Sequence, residues 1–342
     1  SALANGLGAL EDPEVARALG GEEITRYRAF GKFVQGLSHA SVAALYARGF
    51  ALDEATDLRE PQELLDYSAL MNIALEYFDE SIEIALASEF EIPSDWMQAE
   101  LTSTDLARLS HSYKARFRAQ VARTPGERES VNWDAVLADV EAGIQADHLT
   151  VMDWATGWSN GFLGFATFSF PWESWTQLPY FMYGMADQSG RVEEWRTLPL
   201  EEKSYNLPDG RPVLIITPDL RFPQGSSVEE QRAQEGPYFR ILSVGEEGDN
   251  WRKPERGSWR WSWYKPGFGR GADYFALGAL EQPEITLAEM RLLEAEALFR
   301  LGDPGGAAAL VNDTRTAAGL SPTDAAGTNA ECVPRLPDGS CG

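Results

Sequence analysis

Between Glu22 and Arg48, the residues Tyr27, Phe30, Val34, Leu37, Ser41 and Leu45 recur at spacings of three and four. That period gathers them on one face of a helix and leaves the other face polar. The pattern returns in Leu64, Tyr67, Met71, Leu75, Phe78, Ile82 and Ala85, with Pro61 ahead of it as a helix-starting residue. A third helix is predicted from Asp105 to Ala122 with Thr104 as its N-cap. After the break "TPGERES", a fourth starts at Asn132 and turns Trp133, Val136, Leu137, Val140 and Ile144 inward. Short turns join these segments, so residues 22–149 read as stacked helical hairpins.

A further pair closes the helical pattern at 283–320. The first helix presents Ile285, Ala288, Leu292, Ala295 and Phe299 on one side and Glu289, Glu296 and Arg300 on the other. Gly302 ends it. Asp303 then caps the next helix with Pro304 at its first position, where a missing N–H costs nothing. Ala307, Leu310, Val311, Thr314 and Ala318 make the inner face of that second helix, and Gly319–Leu320 is a left-handed stop with its hydrophobic partner. "LGDxxxA" between two such helices is the turn of a tetratricopeptide-type hairpin, although the full repeat consensus is not met.

From about Thr150 to Gln282 the helical period is lost and Pro, Gly and aromatic residues take over. "PVLIIT" (212–217) and "PYFRILSV" (237–244) are predicted as short strands in an otherwise irregular insertion. An insertion of this length must pack on the helices. The fold class is therefore mainly α: helical hairpins around an irregular, aromatic-rich insertion, with a turn-rich tail at 321–342.

Composition narrows the function classes. The formal charge of −24 removes the clustered cations that nucleic acid or an anionic membrane surface would need. No stretch approaches the roughly 20 apolar residues that span a bilayer. Cys332 and Cys341 lie in the tail "ECVPRLPDGSCG". They are either a local disulfide or two free thiols. With Pro and Gly between them and no metal ligands nearby, the disulfide is the preferred reading, and it points to an oxidising compartment.

The insertion holds the candidate binding residues. Indoles suit sugars because a pyranose face packs its C–H groups on a π surface while nearby polar groups hold the hydroxyls. "DWATGWSNGFLGFATFSFPWESWTQLPYFMYG" (153–184) carries Trp154, Trp158, Trp172 and Trp175 beside Asn160, Gln177 and Tyr180. These seven residues are the predicted ligand set, the alternative being that the aromatics anchor the insertion on the helices. Trp259, Trp261 and Trp263 alternate along "GSWRWSWYKPGFGR" and so share one side of an extended segment, where packing is the favoured role.

Catalytic readings are weaker. Glu89, Glu91 and Asp95 near Trp96 could be imagined as a glycosidase pair, but helix-end and loop charge explains them. His39, His111 and His148 have no metal-ligand spacing, and "GFGRG" (267–271) lacks the Lys-Ser/Thr of a phosphate loop. No catalytic residue, metal or cofactor is predicted.

"EITLAEMRLLEAEALFRLGDPGGAAALVNDTRTAAGL" (284–320), with Ala288–Glu289, Ala295–Glu296, Gly302, Asn312, Arg315 and Ala318–Gly319–Leu320, resembles a run of the SusD/RagB family of outer-membrane nutrient-binding lipoproteins. "WSWYKP" with Tyr264 and Lys265, the early helix "RYRAFGKFVQGLSHASVAALYARGF" and "NWDAVLADVEAGI" resemble further family segments. The resemblance implies a single SusD-like domain, an α-α superhelix of tetratricopeptide-like hairpins. It implies a bacterial cell-surface protein that binds an oligosaccharide or peptide and passes it to a SusC-like TonB-dependent transporter in the outer membrane. Membrane association would come only through a lipid anchor, whose cysteine this sequence lacks. The chain also stops soon after Cys341, where family members continue, which implies a fragment of a longer lipoprotein. The competing reading is a helical-repeat scaffold or self-assembling surface protein.

Overall fold

The computed structural model describes residues 2–97, 99–152, 178–234, 236, 238–241, 262–266, 280–336 and 339–341. The chain divides into two compact units, one of 1–151 with 281–307 and one of 152–280 with 308–342. The first unit opens with α1 (Ala2–Ala9), α2 (Pro13–Leu19), α3 (Gly21–Leu45) and α4 (Tyr67–Leu86). It continues through α5 (Ser94–Met97), α6 (Ser103–Gln120), α7 (Pro125–Glu129) and α8 (Trp133–Glu141). In the second unit come α9 (Tyr180–Tyr183), α10 (Arg191–Thr197) and α11 (Val228–Arg232). The chain then returns to the first unit with α12 (Leu287–Arg300), and α13 (Pro304–Ala317) follows. No helix among the described residues is long and apolar enough to cross a membrane.

The strands are short and pair only in twos. β1 (Arg48–Gly49) pairs antiparallel with β2 (Leu65–Asp66), and β3 (Glu91–Ile92) with β4 (Leu101–Thr102). β5 (His148–Met152) pairs with β8 (Leu280–Ile285), while β6 (Phe239–Ile241) and β7 (Tyr264–Pro266) run antiparallel with Arg240 opposite Lys265.

Helix starts follow side-chain caps. The second long helix starts at Asp66, not near Pro61, because the Asp66 carboxylate accepts the N–H groups of Ser68 and Ala69. The third starts two residues before its expected cap. Thr102 and Asp105 exchange side-chain bonds in a capping box that Thr104 does not join. Asn132 caps α8 as expected.

The first unit's core runs through α3, α4, α6, α8 and α12. α3 meets α4 through small residues: Gly36, Ala40 and Ala43 are buried, whereas Leu45, expected to face inward, is 77% exposed. At Gly36 a side chain is excluded, since a Cβ there would lie 2.9 Å from Phe78 Cγ and 3.1 Å from the Ala74 carbonyl oxygen. Phe33 fills the next level, edge-on to both Phe78 and Tyr113 at 5.9 and 5.7 Å.

α12 is turned from its expected orientation. Leu292 and Phe299 are exposed, Ile285 ends β8, and the buried residues are Met290, Ala295 and Ala297. The rotation has an electrostatic cause. Arg116 forks onto Glu289, and Arg128 forks onto Glu296, so the carboxylates assigned to the outer face bind guanidinium groups of α6 and α7. α12 stops as expected at Gly302 (φ 91°), with Asp303 N–H donating to the Leu298 carbonyl.

Candidate functional site

In the second unit side chains take over much of the role of a β-ladder. Residues 212–217, expected as a strand, are largely buried but pair with no strand among the described residues; Pro212 forms an isolated bridge with Asn206, and Val213 N–H donates to the Tyr205 carbonyl. Backbone polar groups in a buried segment must find partners. Ile215 N–H donates to the Tyr264 hydroxyl at 2.8 Å, Ile216 N–H to Asp187 Oδ1 at 3.0 Å, and the Ile215 carbonyl accepts from Gln231 Nε2 at 3.0 Å. Tyr264 in turn donates to Gln231 Oε1 at 2.6 Å. Of the second predicted strand, Phe239–Ile241 forms β6, and 242–244 lie outside the described residues.

Asp187 organises the wall of a groove. Its carboxylate accepts from Ser189 N–H, Ser189 Oγ, Val192 N–H and Ile216 N–H, and Gly190 (φ 81°) turns the chain into α10. At the other end of α10, the Lys203 ammonium donates to the carbonyls of Trp195, Arg196 and Leu198, a cation on the negative end of the helix dipole. Burial lowers the pKa of Lys203, and the charge of Arg196 adds to that effect. With both ends fixed, α10 presents Glu193 and Arg196 as a bidentate pair at 2.8 Å. The Arg196 guanidinium holds the Glu193 carboxyl below the usual carboxylate range.

The facing wall is the tail loop. Cys332 and Cys341 form the expected disulfide. Inside it, Arg335 bridges Cys341, Leu336 N–H donates to Ser340, and Arg335 N–H donates to the Met185 carbonyl at 2.7 Å. The tail is also fastened to α13. Asn312 exchanges both amide bonds with the Thr323 backbone, and Arg315 donates to the carbonyls of Ser321 and Val333. Thus Asn312 and Arg315 of the motif are tail clamps.

Between these walls lies a cavity of about 330 Å³, at the small end of the ligand-pocket range. Its apolar lining includes Phe181, Met185 and Leu336. Phe181 is 57% exposed and stands edge-on to Trp195 at 5.3 Å. Trp195 is buried, and among the described residues its Nε1–H has no acceptor. The groove therefore combines an exposed aromatic ring and an ion pair.

Of the predicted ligand set, Trp154, Trp158, Asn160, Trp172, Trp175 and Gln177 lie outside the described residues. Tyr180 is described; it is buried and belongs to the groove lining, and its hydroxyl donates to the Val213 carbonyl at 2.6 Å and accepts from Trp263 N–H. Burial pushes its phenol well up in pKa. Trp263 is buried too, with Nε1 donating to Asn206, in keeping with the packing role favoured for its segment; Trp259 and Trp261 lie outside the described residues. Sequence reasoning missed Phe181, Trp195 and Arg335. Phe181 was within the quoted aromatic run, whereas Arg335 reaches the groove only because the disulfide folds the tail back.

The polar residues weighed for catalysis are engaged or scattered. His39 Nδ1 lies 2.7 Å from the Gln35 carbonyl while Nε2 accepts from Leu52 N–H, so this ring fastens a loop to α3. His111 binds Asp139, and Glu89, Glu91 and Asp95 are exposed. Among the described residues, no group of three His, Cys, Asp or Glu side chains is placed to hold a metal ion.

No family model matches the sequence. Protein P1-P2 of Turnip yellows virus (isolate FL-1) is 27% identical over 190 residues, spanning 48% of this chain and 18% of that protein, too little to assign fold or function. Among solved structures, BT4246 superposes with a TM-score of 0.50 at 13% identity, covering 96% of this chain and 73% of its own. A SusD-like protein from Bacteroides fragilis NCTC 9343 gives 0.49 at 14% identity over 93% of this chain and 66% of that one. A SusD-like carbohydrate binding protein from Bacteroides vulgatus ATCC 8482 gives 0.47 at 12% identity over 96% and 61%. This chain thus spans about two thirds of the length of the solved structures it matches. At these identities the likeness is one of fold alone, carried by the superposition on BT4246.

Proposed function

We propose that this protein is a cell-surface glycan-binding protein that delivers its ligand to a SusC-like TonB-dependent transporter of the outer membrane. The observation that carries the reading is the groove of the second unit. An exposed Phe181 beside the Glu193–Arg196 pair offers what a sugar needs, a π face for its C–H groups and polar groups for its hydroxyls. The SusD-like fold supports the same reading, since one structure of that fold is described as carbohydrate binding. Capture would rest on shape and stacking, with no bond of the ligand made or broken.

A second reading, a scaffold or self-assembling surface protein, is favoured by one observation in the first unit. Leu45, Tyr46, Phe50, Leu58 and Leu64 are all exposed around the α3–α4 connection, and accessible apolar residues in one stretch suit protein contact. Two experiments separate the readings. A glycan array probed with the purified chain is expected to show saturable binding that Phe181→Ala weakens. Gentle detergent extraction of native membranes and capture of this chain is expected to recover a stoichiometric TonB-dependent barrel. Silence on the array, with recovery only of the chain itself, would replace uptake by assembly.

A further inference from the structure

We infer that the groove between α10 and the disulfide-closed tail selects a glycan carrying a carboxylate, a hexuronate residue, which Arg335 binds. The inference rests on the glycan reading above and adds the charge of the ligand to it.

Four charged side chains line the groove, and three are committed. Asp187 is 3% exposed and its carboxylate accepts from backbone and side-chain donors around the α10 turn. Glu193 and Arg196 neutralise each other through two bonds of 2.8 Å. Arg335 differs. Its guanidinium reaches only the Gly339 and Gln188 carbonyls, at the long distances of 3.4 and 3.5 Å, and among the described residues it has no ion pair. Its charge acts on the nearby Glu193 carboxyl, but among the described residues no carboxylate oxygen lies within ion-pair distance of it. A planar fork with donors to spare is suited to a carboxylate, which it can bind in bidentate fashion.

The second observation is Phe181, which is 57% exposed in the same groove and stands edge-on to the buried indole of Trp195 at 5.3 Å. A hexuronate ring matches the set: a C–H face for Phe181, hydroxyls for the Glu193–Arg196 pair, and a carboxylate for Arg335. A neutral hexose would add no charge partner for the guanidinium. Because Arg335 is carried on the loop that Cys332–Cys341 closes, acid recognition depends on that disulfide.

Titration calorimetry on the full chain tests the inference. The probes are oligosaccharides cut from polygalacturonate, alginate and glucuronoxylan, each compared with its carboxyl-reduced form. At least one acidic oligosaccharide is expected to bind about tenfold or more tightly than its reduced form. Arg335→Gln keeps the backbone bonds of the loop and is expected to abolish that ratio by weakening the acidic form about tenfold. The paired Cys332→Ala/Cys341→Ala variant should lower the acid preference in the same way. Equal affinity for acid and reduced forms, or an Arg335→Gln variant that keeps the preference, overturns the inference. Binding of neutral glycans alone also overturns it and leaves the proposed glycan role intact. Silence of acidic and neutral glycans alike refutes both, as would binding of a carboxylate-bearing peptide in their place.

Discussion

Replacing Asp139 should destabilise the first unit more than any surface ion pair could. Asp139 sits on α8 at 5% exposure, and its carboxylate meets His111 Nδ1 at 2.8 Å, Arg118 Nε at 2.8 Å and Lys114 Nζ at 3.2 Å. Burial by itself would raise its pKa. The His111 hydrogen bond and the charges of Lys114 and Arg118 outweigh burial and hold it below the usual carboxylate range. Asp139→Asn keeps the shape and removes the charge on which these groups of α6 converge. Breaking a buried pair costs about 3–5 kcal/mol when the remaining charge is stranded. Here Lys114 retains Asp79, and Arg118 is partly exposed, so about 2–3 kcal/mol is expected, a drop of roughly 30- to 150-fold in the folding constant. Hydrogen exchange of α6 and α8 peptides across a urea series isolates this unit from the rest of the chain. The pH dependence has a defined sign. The folded value is depressed, so the stabilisation is present above the unfolded value near 3.9 and is lost as pH falls through the folded one. The stability gap between the native chain and the variant should therefore close progressively in acid. A loss under about 1 kcal/mol at neutral pH, the range of exposed ion pairs, would refute the reasoning.

Other expectations concern single groups. Tyr264→Phe strands the Ile215 N–H and Gln231 Oε1 in the second unit's core, and should cost about 2–3 kcal/mol, read as earlier exchange of the described peptides around 212–217. Gly36→Ala should lower the melting temperature, because its methyl meets Phe78 and the Ala74 carbonyl where α3 touches α4, at about 1–3 kcal/mol; Gly6→Ala, with nothing near, should leave it unchanged or raise it. His148 is buried, its Nε2 has no partner among the described residues, and burial lowers its pKa. Its unfolded form binds the proton more readily, so stability should hold above about pH 6.5 and fall as pH drops below it, a slope that His148→Gln removes in pH-dependent melts.

Helices were legible where large apolar residues and caps set them, yet their facing was less so. The period of α3 correctly placed a helix from the early twenties, but the sequence reading weighted Leu45 and missed Gly36, Ala40 and Ala43. Close helix contact selects for small side chains, which carry little hydrophobic signal. α12 misled for the opposite reason. Glu289 and Glu296 read as solvent-facing, and only the positions of Arg116 and Arg128 make them interface residues. Partners so distant along the chain leave no local periodicity. The boundaries of the C-terminal hairpin, unlike the facing of its first helix, were readable almost residue by residue. Its stops and caps are local hydrogen-bond chemistry, down to Leu320 N–H on the Arg315 carbonyl beyond Gly319.

The candidate site escaped sequence reading through the same contrast between local and distant causes. An apolar run such as "PVLIIT" predicts a strand when its backbone is expected to pair with another backbone. In this unit Asp187, Gln231 and Tyr264, drawn from three separate segments, serve Ile215 and Ile216 alongside scattered backbone bonds to Tyr205 and Gln188. Asp187 joins that core to the groove, since the carboxylate that satisfies Ile216 also fixes the first turn of α10 and hence Glu193, Trp195 and Arg196. A change in the core at Asp187 should therefore reach ligand affinity as well as stability. Asp187→Asn frees Val192 and Ile216 of a charged acceptor, and the predicted result is weaker binding on the glycan array together with faster exchange in α10. Loss of stability with ligand affinity unchanged would separate the groove from the core and refute that coupling.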